Sequence, residues 1–196
     1  MVTHPDIAAV SFTGGTQTGA RIAGHVAPKF KKMSLELGGK NPAIIFADAD
    51  FDEALKTTLR SSFANQGQIC LCGSRILVER KIYNKFRDAF VAKASKMVAD
   101  LPMKPTTKMG AVVSEAHMEK ILGHIALAQE EGGTVLCGGH RVHPEGGEAG
   151  FYVAPTVIEG LGPDCRTNQE EIFGPVVTLQ PFDSEEEALM LANNTR

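Results

Sequence analysis

The chain has 196 residues, a formal net charge of −3 and 43 % hydrophobic residues. These values are typical of a globular protein that can bury a core, and so small a charge does not indicate a nucleic-acid partner. No apolar run reaches the ~18–20 residues of a membrane span, and the first residues lack the layout of a signal peptide. The four cysteines have no disulfide-framework spacing, so we expect a reducing compartment, with the cytoplasm as the default.

Strand-like and helical patterns alternate along the chain. The predicted strands cover residues 8–12, 32–37, 42–46, 75–79, 134–137, 152–158 and 176–182, and the predicted helices cover about 17–26, 51–65, 81–99, 114–131 and 185–193. Loops containing glycine or proline are expected at 101–110 and 138–150. This alternation predicts an α/β fold with a mostly parallel sheet flanked by helices.

The first predicted strand leads into a glycine turn and then a helix. Gly14, Gly15 and Gly19 lie at this turn, and the outer two have the spacing Gly14-x-x-x-x-Gly19. Such a turn can hold a phosphate group at the helix N-terminus. Many strand–helix turns carry two glycines for backbone geometry alone, so the spacing leaves both interpretations open.

Cys70 follows a turn formed by Gly67 and Gln68, at the end of a predicted helix. Most cysteines are small buried apolar residues, and such a residue needs no special turn. A glycine that ends a helix just before a thiol favours the alternative, because the N–H groups of a sharp turn can stabilise a thiolate nucleophile. Cys72 lies two residues further on, and in an extended segment both side chains would point to one side. We therefore expect Cys70 to be the most reactive of the four thiols.

Two other segments carry side chains of chemical interest. Glu36 precedes Gly38 and Gly39 near the end of a predicted strand, and by itself it is an ordinary strand-end carboxylate in solvent. The segment 137–143 holds one cysteine and two histidines, whereas zinc needs four ligands or an open catalytic position. We expect these side chains to be solvated in a glycine-rich loop, and we predict no metal site.

Several separated motifs together resemble the aldehyde dehydrogenase superfamily. They are HPD at 4–6, SFTGG at 11–15, LELGGKNP at 35–42, FANQGQIC at 63–70 and EEIFGP at 170–175. Their order and spacing both match, and the resemblance covers nearly the whole chain. The stretch 60–72 is most similar to the muconic semialdehyde dehydrogenases, including the 2-aminomuconic type.

The family fold implies a Rossmann-like dinucleotide-binding domain, a catalytic α/β domain and a small oligomerisation extension. By resemblance, residues 1–37 are the end of the dinucleotide-binding domain, and residues 38–196 are a catalytic domain truncated at its C-terminal end. The chain is then less than half of a family member. It lacks the part that carries the asparagine of the oxyanion hole and the lysine of the adenosine-ribose pocket. Gly15 stands where the family usually has serine, which removes one hydroxyl contact to a phosphate.

The resemblance also implies an activity, which is NAD(P)-dependent oxidation of an aldehyde, such as a semialdehyde, to a carboxylic acid. Cys70 would be the nucleophile that forms a thiohemiacetal and then a thioester, and Glu36 would activate the water that hydrolyses the thioester. The implied cofactor is NAD, or alternatively NADP. The implied cofactor-binding residues are Gly14, Gly15, Gly19, Leu37, Gly38, Glu171 and Phe173.

Within that set, Glu171 would hold the nicotinamide ribose and Phe173 would pack against the nicotinamide ring. A helix-end carboxylate and a core phenylalanine are the alternative interpretation. Because both motifs must reach one ring, we expect Glu171 and Phe173 on the same side of the fold as Glu36 and Cys70.

The expected partners are a small aldehyde substrate and, for full-length relatives, further copies in a homodimer or homotetramer, with no nucleic acid and no membrane. Two other function classes stay open. One is a catalytically inactive, truncated family member that acts as a binding or structural module. The other is a cysteine hydrolase or acyl-transfer enzyme, which needs a histidine partner that no sequence pattern places near Cys70. We expect no measurable NAD⁺-dependent aldehyde oxidation from the 196-residue chain by itself.

Overall fold

The computed structural model describes residues 1–195, and they form two compact units. The first unit comprises Met1–Gly39, and the second runs from Lys40 onward. None of the helices in this described part of the chain is long and apolar enough to cross a membrane.

The first unit is a strand–helix–strand element. Its members are β1 (Ala9–Gly14), α1 (Thr16–Val26) and β2 (Lys32–Leu37). The two strands pair in parallel, so Thr13 lies opposite Glu36 and Gly14 lies opposite Leu37. Gly19 allows α1 to pack closely on β2, because a Cβ at this position would lie 2.6 Å from Cδ2 of Leu37. The predicted order of strand, glycine turn and helix is confirmed.

The second unit is built on a five-stranded sheet. The strands of this unit are β3 (Pro42–Ile45), β4 (Arg75–Glu79), β5 (Thr134–Cys137), β6 (Arg141–Val142), β7 (Tyr152–Val153), β8 (Thr156–Glu159) and β9 (Val176–Phe182). The main sheet has the order β3-β4-β9-β8-β5, with β5 antiparallel to β8 and the other neighbours parallel. β6 and β7 form a separate antiparallel ribbon. The prediction of an α/β fold with a mostly parallel sheet is confirmed.

Five α-helices lie within residues 40–195 of the second unit. They are α2 (Phe51–Phe63), α3 (Arg80–Ala94), α4 (Glu115–Glu130), α5 (Arg166–Gln169) and α6 (Glu185–Asn193). The side chains of Asp50, Ser114 and Ser184 cap α2, α4 and α6, each accepting a hydrogen bond from the backbone N–H three residues later. These caps satisfy N–H groups that have no partner inside the helix, which is why the helices begin at these residues.

The largest apolar cluster lies where α3 packs against the sheet. Phe86 and Phe90 of α3 are fully buried, and their ring centroids are 5.9 Å apart. Phe90 also lies 5.9 Å from Phe63, the last residue of α2. Burying a side chain of this size contributes about 1.5–3 kcal/mol. The cluster therefore anchors the end of α2, which leads directly into the loop that carries the cysteine motif.

The structure differs from the predicted elements at several places. α2 ends at Phe63 rather than near residue 65, α3 ends at Ala94 rather than near residue 99, and β6 lies within the predicted loop 138–150. The predicted strand at 152–158 is divided into β7 and β8. Pro155 lies at the division and has no N–H to donate, and the chain changes there from the β6–β7 ribbon to the main sheet.

The short helix α5 was not predicted. It begins where the Glu131 carboxylate accepts hydrogen bonds from Arg166 N, Thr167 N and the Thr167 hydroxyl, at 2.7, 3.2 and 2.6 Å. These bonds join residues 35 or 36 positions apart in the sequence. No local pattern could therefore indicate where this helix begins.

Candidate active site

Cys70 lies in a tight turn after α2. A hydrogen bond of 3.0 Å from Cys72 N to Ile69 O closes this turn. Cys70 is exposed, whereas Cys72 is buried, with 8 % of its surface exposed. The segment is not extended, so the arrangement considered for an extended strand, with both thiols on one side, is absent. One thiol faces solvent and the other faces the core.

Three consecutive residues before the turn have left-handed backbone conformations. Their φ angles are +48° at Asn65, +57° at Gln66 and +69° at Gly67. Such a conformation costs of order 1–3 kcal/mol at a non-glycine residue, so the surrounding structure must maintain it. A Cβ on residue 67 would lie 2.1 Å from Gly174 O, so only glycine fits. This close approach brings the loop between α2 and β4 (residues 64–74, the cysteine loop) against the EEIFGP segment at 170–175.

Asn41 ties the cysteine loop to the sheet. This residue immediately precedes β3, and its Nδ2 donates to Cys70 O at 2.5 Å and to Cys72 O at 3.3 Å. Its backbone carbonyl accepts hydrogen bonds from Ser74 N and Arg75 N, both at 3.1 Å. One residue therefore contacts the loop at the cysteine turn and again where the loop enters β4.

Other hydrogen bonds hold the two ends of the loop. At the end of α2, Ser62 Oγ donates to Gly73 O at 3.0 Å, and Ser61 Oγ accepts from Gly73 N at 3.1 Å. Near the start of the loop, Gln68 Oε1 accepts from Val113 N at 3.1 Å. The loop is thus fixed by side chains from the sheet, from α2 and from its own polar residues.

Helix α4 holds the backbone of the EEIFGP segment. Phe173 has a φ of +60°, and its carbonyl oxygen lies 2.6 Å from His117 Nε2. Because a carbonyl only accepts, this ring nitrogen carries the proton. Lys120, three residues along α4, donates to Glu171 O at 3.1 Å. One face of α4 therefore fixes the backbone at both implied cofactor residues.

Burial distinguishes the other three thiols from Cys70. It raises the pKa of the Cys72, Cys137 and Cys165 thiols. A raised pKa keeps a thiol protonated and weakly nucleophilic near neutral pH. Cys70 is the exposed thiol of the four, and our prediction that it is the most reactive is consistent with this environment.

Lys40 is a buried cation whose burial no sequence pattern indicates. Its exposed fraction is 5 %, and burial, followed by the nearby Arg75 guanidinium, lowers its pKa from 10.5 to about 8. Its Nζ has no hydrogen-bond partner among the residues that the structure describes. Arg75 is also buried, and it donates to the carbonyls of Lys40, Leu191 and Ala192 at 2.6–2.8 Å. The Gly-Gly-Lys run was the available sequence signal, but it does not indicate burial.

The remaining predicted site residues lie in the first unit. Glu36 is exposed on β2, and Leu37, the next residue, is half-buried. Gly15 is the N-cap of α1; the helix has no side-chain cap hydrogen bond there, and a Cβ on this residue would meet no described atom within 4 Å. This geometry fits a bound phosphate, because the first N–H groups of a helix lack intrahelical partners.

Two side chains of the segment 137–143 contact backbone carbonyls. Cys137 Sγ donates to Pro155 O at 3.7 Å, and His140 Nδ1 lies 2.9 Å from Gly138 O. Across residues 1–195, no group of three or more His, Cys, Asp or Glu side chains is arranged to hold a metal ion.

The whole chain, residues 1–196, matches the model of the aldehyde dehydrogenase family. The chain belongs to this family. Among its curated relatives, the 2-aminomuconic semialdehyde dehydrogenases of Danio rerio and Mus musculus are each 48 % identical over 199 residues. These matches cover 100 % of this chain and 41 % of each relative, so the chain spans about two fifths of their length. A 2-aminomuconic 6-semialdehyde dehydrogenase from Pseudomonas sp is 46 % identical, with 98 % of this chain and 40 % of the relative covered.

Solved structures of aldehyde dehydrogenases have the same fold. Betaine aldehyde dehydrogenase from Staphylococcus aureus, crystallised with NAD⁺, matches with a TM-score of 0.96 and 41 % identity. The match covers 100 % of this chain and 39 % of that one. The predicted resemblance to the aldehyde dehydrogenase family, the similarity to 2-aminomuconic semialdehyde dehydrogenases and the partial family fold are therefore confirmed.

Proposed function

We propose that this chain is the part of an NAD(P)-dependent aldehyde dehydrogenase that carries the nucleophile, the general base and the nicotinamide contacts. The proposal depends mainly on one observation: an exposed Cys70 in a turn fixed by long-range hydrogen bonds, in a chain that matches the family along its whole length. We propose a semialdehyde as the substrate class, because the relatives at 48 % identity are named for one. Relatives named for betaine aldehyde are 42 % identical, which makes a cationic aldehyde the alternative.

In the proposed reaction, the Cys70 thiolate adds to the aldehyde carbonyl. A C–S bond forms and the carbonyl oxygen becomes an oxyanion. Reformation of the C=O bond expels hydride from that carbon and leaves a thioester on sulfur. A bound nicotinamide dinucleotide would supply the hydride acceptor. The exposure of Cys70 supports this role, because the substrate must reach sulfur.

Glu36 completes the proposed reaction as general base. Its carboxylate accepts a proton from water, and the resulting hydroxide attacks the thioester carbonyl. The C–S bond then breaks, which releases the carboxylic acid and regenerates the Cys70 thiolate. General-base catalysis of this kind contributes about 10²–10⁴-fold in rate. The exposed position of Glu36 on β2 supports this role, since water has access to it.

The residues present fit the nicotinamide cofactor. The N-terminus of α1, which has no side-chain cap at Gly15, can bind a phosphate. Phe173 has a left-handed backbone conformation, and a hydrogen bond from α4 holds its carbonyl in place. As the family resemblance implies, Gly14, Gly15 and Gly19 would hold the phosphates, and Leu37 and Gly38 would contact the nicotinamide. Glu171 would hold its ribose, and Phe173 would pack against the ring.

The test uses a chimera in which residues 1–196 replace the matching segment of the Danio rerio relative. We expect NAD⁺-dependent oxidation of a semialdehyde, loss of that activity in Cys70→Ser, and retained activity in the matched control Cys165→Ser. Glu36→Gln should still acylate Cys70 but release acid about 10²–10⁴-fold more slowly, so the thioester should accumulate and be visible by mass spectrometry. Parental turnover in either Cys70→Ser or Glu36→Gln would refute the corresponding role.

The same measurements separate the open alternatives. For the 196-residue chain alone we expect no measurable NADH formation, because loss of one oxyanion-hole donor costs about 10²–10³-fold and the cofactor would be poorly positioned. Robust NADH formation by a monodisperse monomer would contradict this expectation. Sustained ester hydrolysis without NAD⁺ would favour the cysteine hydrolase. A chimera that binds its cofactor but has no turnover would favour the inactive module.

The location and assembly of the complete protein are also proposals. The spacing of the four cysteines favours a reducing compartment, so we propose the cytoplasm. We further propose a homodimer or homotetramer, as the family resemblance implies. Size-exclusion chromatography with light scattering on the chimera would determine the assembly.

A further inference from the structure

We infer that Asn41 is a positioning residue for Cys70, and that its side-chain amide fixes the turn on which the thiol is presented. The inference deepens the proposed function, because it rests on Cys70 as the nucleophile. Asn41 itself does not touch the reacting atoms. It acts on the backbone on the C-terminal side of the cysteine.

The contacts that carry this inference are two hydrogen bonds from one amide group. Asn41 Nδ2 lies 2.5 Å from Cys70 O and 3.3 Å from Cys72 O. A side-chain amide has two N–H donors, so each carbonyl can receive its own hydrogen. The two carbonyls belong to the turn that the Cys72 N to Ile69 O bond closes. The amide thus fixes the peptide plane that follows Cys70.

Apolar packing contributes little at the apex of the turn. Leu71, between the two cysteines, is 80 % exposed and so contributes little packing. Cys72, next to it, is buried. An exposed thiol and a buried thiol therefore lie only two residues apart. The Asn41 amide donates hydrogen bonds to the backbone carbonyls of both cysteines.

Asn41 is itself held at the edge of the sheet, where the loop enters β4. Pro42, the next residue, begins β3 and lies opposite Arg75 of β4. The Asn41 carbonyl accepts from Ser74 N and Arg75 N at 3.1 Å. The donor is therefore attached to a rigid element, and a group held in that way can keep a nucleophile in one orientation.

The test measures thiol selectivity in the 196-residue chain, with iodoacetamide at limiting concentration and peptide mass mapping. We expect Asn41→Asp, which keeps the shape but loses the donor, to lower the ratio of Cys70 to Cys72 labelling by about tenfold. Two hydrogen bonds of ordinary net strength correspond to at least that factor. Asn41→Ala should act in the same direction, and Asn41→Gln, which retains the amide donor, should restore at least half of the parental ratio.

Ser61→Ala is the matched control. It removes a hydrogen bond from the same loop, at Gly73, but it contacts neither cysteine. We expect less than a twofold change in the ratio for this variant. Labelling of Cys137 and Cys165 reports the integrity of the rest of the unit, and it should not change in any of the variants.

Three results would overturn the inference. The first is a ratio within twofold of the parental value in Asn41→Asp. The second is an equal loss of selectivity in Ser61→Ala, because any loosening of the loop would then suffice. The third is a parallel rise of all four thiols in every Asn41 variant, which would make Asn41 a requirement for folding rather than for the placement of Cys70.

A second readout separates this inference from the proposed function. We expect Cys70 to be acylated by p-nitrophenyl acetate without cofactor, and the initial burst to slow about tenfold in Asn41→Asp with rescue in Asn41→Gln. If the parental Cys70 is not acylated while the labelling ratio still falls in Asn41→Asp, the nucleophile assignment fails and the positioning of the thiol by Asn41 stands.

Discussion

The two units of this chain are stabilised in different ways, and each carries one of the two proposed catalytic residues. In the first unit, Gly19 and Val26 are the buried residues, and the strands form a two-stranded parallel sheet. In the second unit, three apolar clusters surround a five-stranded sheet. Glu36 belongs to the first unit and Cys70 to the second.

The two candidate groups, Glu36 and Cys70, are therefore held by different kinds of contact. Glu36 lies on a strand that pairs with one neighbour, and its backbone is supported mainly by local structure. Cys70 lies on a loop fixed by Asn41, 29 positions away, and next to a close backbone contact between Gly67 and Gly174. The proposed nucleophile is therefore placed by tertiary structure, whereas the proposed base is placed by a strand–helix–strand element.

Among the variants that test this difference between the two units, Gly67→Ala is expected to have the largest effect. The new Cβ would lie 2.1 Å from a backbone oxygen and would also require φ near +69°. We expect a loss of about 3–5 kcal/mol in the free energy of unfolding of the second unit. Gly132→Ala is the control, because residue 132 has φ +92° but open space around a Cβ, so it should cost only about 1–2 kcal/mol. Equal losses in urea titrations of the two variants would mean that the close contact is unimportant.

Hydrogen exchange compares the two units directly. We expect the amides of β1 and β2 to exchange roughly 100-fold faster than those of β4 and β9, because a two-stranded sheet with little burial opens locally. β4 is buried on both sides, with Ile76, Leu77 and Val78 at most 1 % exposed. Mass spectrometry of peptic peptides would measure the rates. Equal protection in the two sheets would show that the two units do not differ in local stability.

Lys40→Met tests how much the buried charge of Lys40 lowers the free energy of unfolding of the second unit. Below pH 8 the lysine is protonated both in the folded state, where its pKa is about 8, and in the unfolded state, where it is near 10.5. Between those values the unfolded state binds more protons, so stability should rise with pH across this window. The shift corresponds to about 3 kcal/mol, and we expect Lys40→Met to be more stable by that order at pH 7 and to lack the rise.

The control for this change is Lys96→Met, which removes an exposed lysine. We expect it to leave both the stability at pH 7 and the pH dependence nearly unchanged. Urea unfolding at pH 7, 8, 9 and 10 would separate the two variants. A destabilised Lys40→Met variant would indicate that the buried ammonium has a favourable partner.

The smallest expected effect concerns helix capping. Ser114 caps α4, which carries His117 and Lys120, whereas no side chain caps α1 at Gly15. We expect Ser114→Ala to lower the free energy of unfolding of the second unit by about 1 kcal/mol. Ser114→Asp should retain most of the stability that the Ser114 cap contributes. In the first unit, Gly15→Ser should protect α1 against hydrogen exchange by only a few tenths of a kcal/mol. A neutral Ser114→Ala variant would show that α4 is held by packing alone.

Much of the fold follows from patterns that are local in the sequence. The α/β alternation, strands such as β4 and β9, and the caps at Asp50 and Ser184 each depend on residues within one or two turns of one another. The Gly67 position and the exposed thiol that follows it are indicated by a short motif. Periodicity and capping chemistry are short-range properties, and they can be identified without knowing which elements become neighbours.

Only the tertiary structure decided the features that join distant residues. The burial of Lys40, the start of α5 at the Glu131 carboxylate and the bond between His117 and Phe173 O depend on contacts across many residues. The bond from Asn41 to Cys70 O belongs to the same group. The sequence indicates which residues carry reactive groups and where most helices and strands lie, but it does not indicate α5, β6 or the division between β7 and β8. The packing of those elements determined the burial, the hydrogen-bond partners and hence the chemical environment of each group, because these depend on residues far apart in the chain.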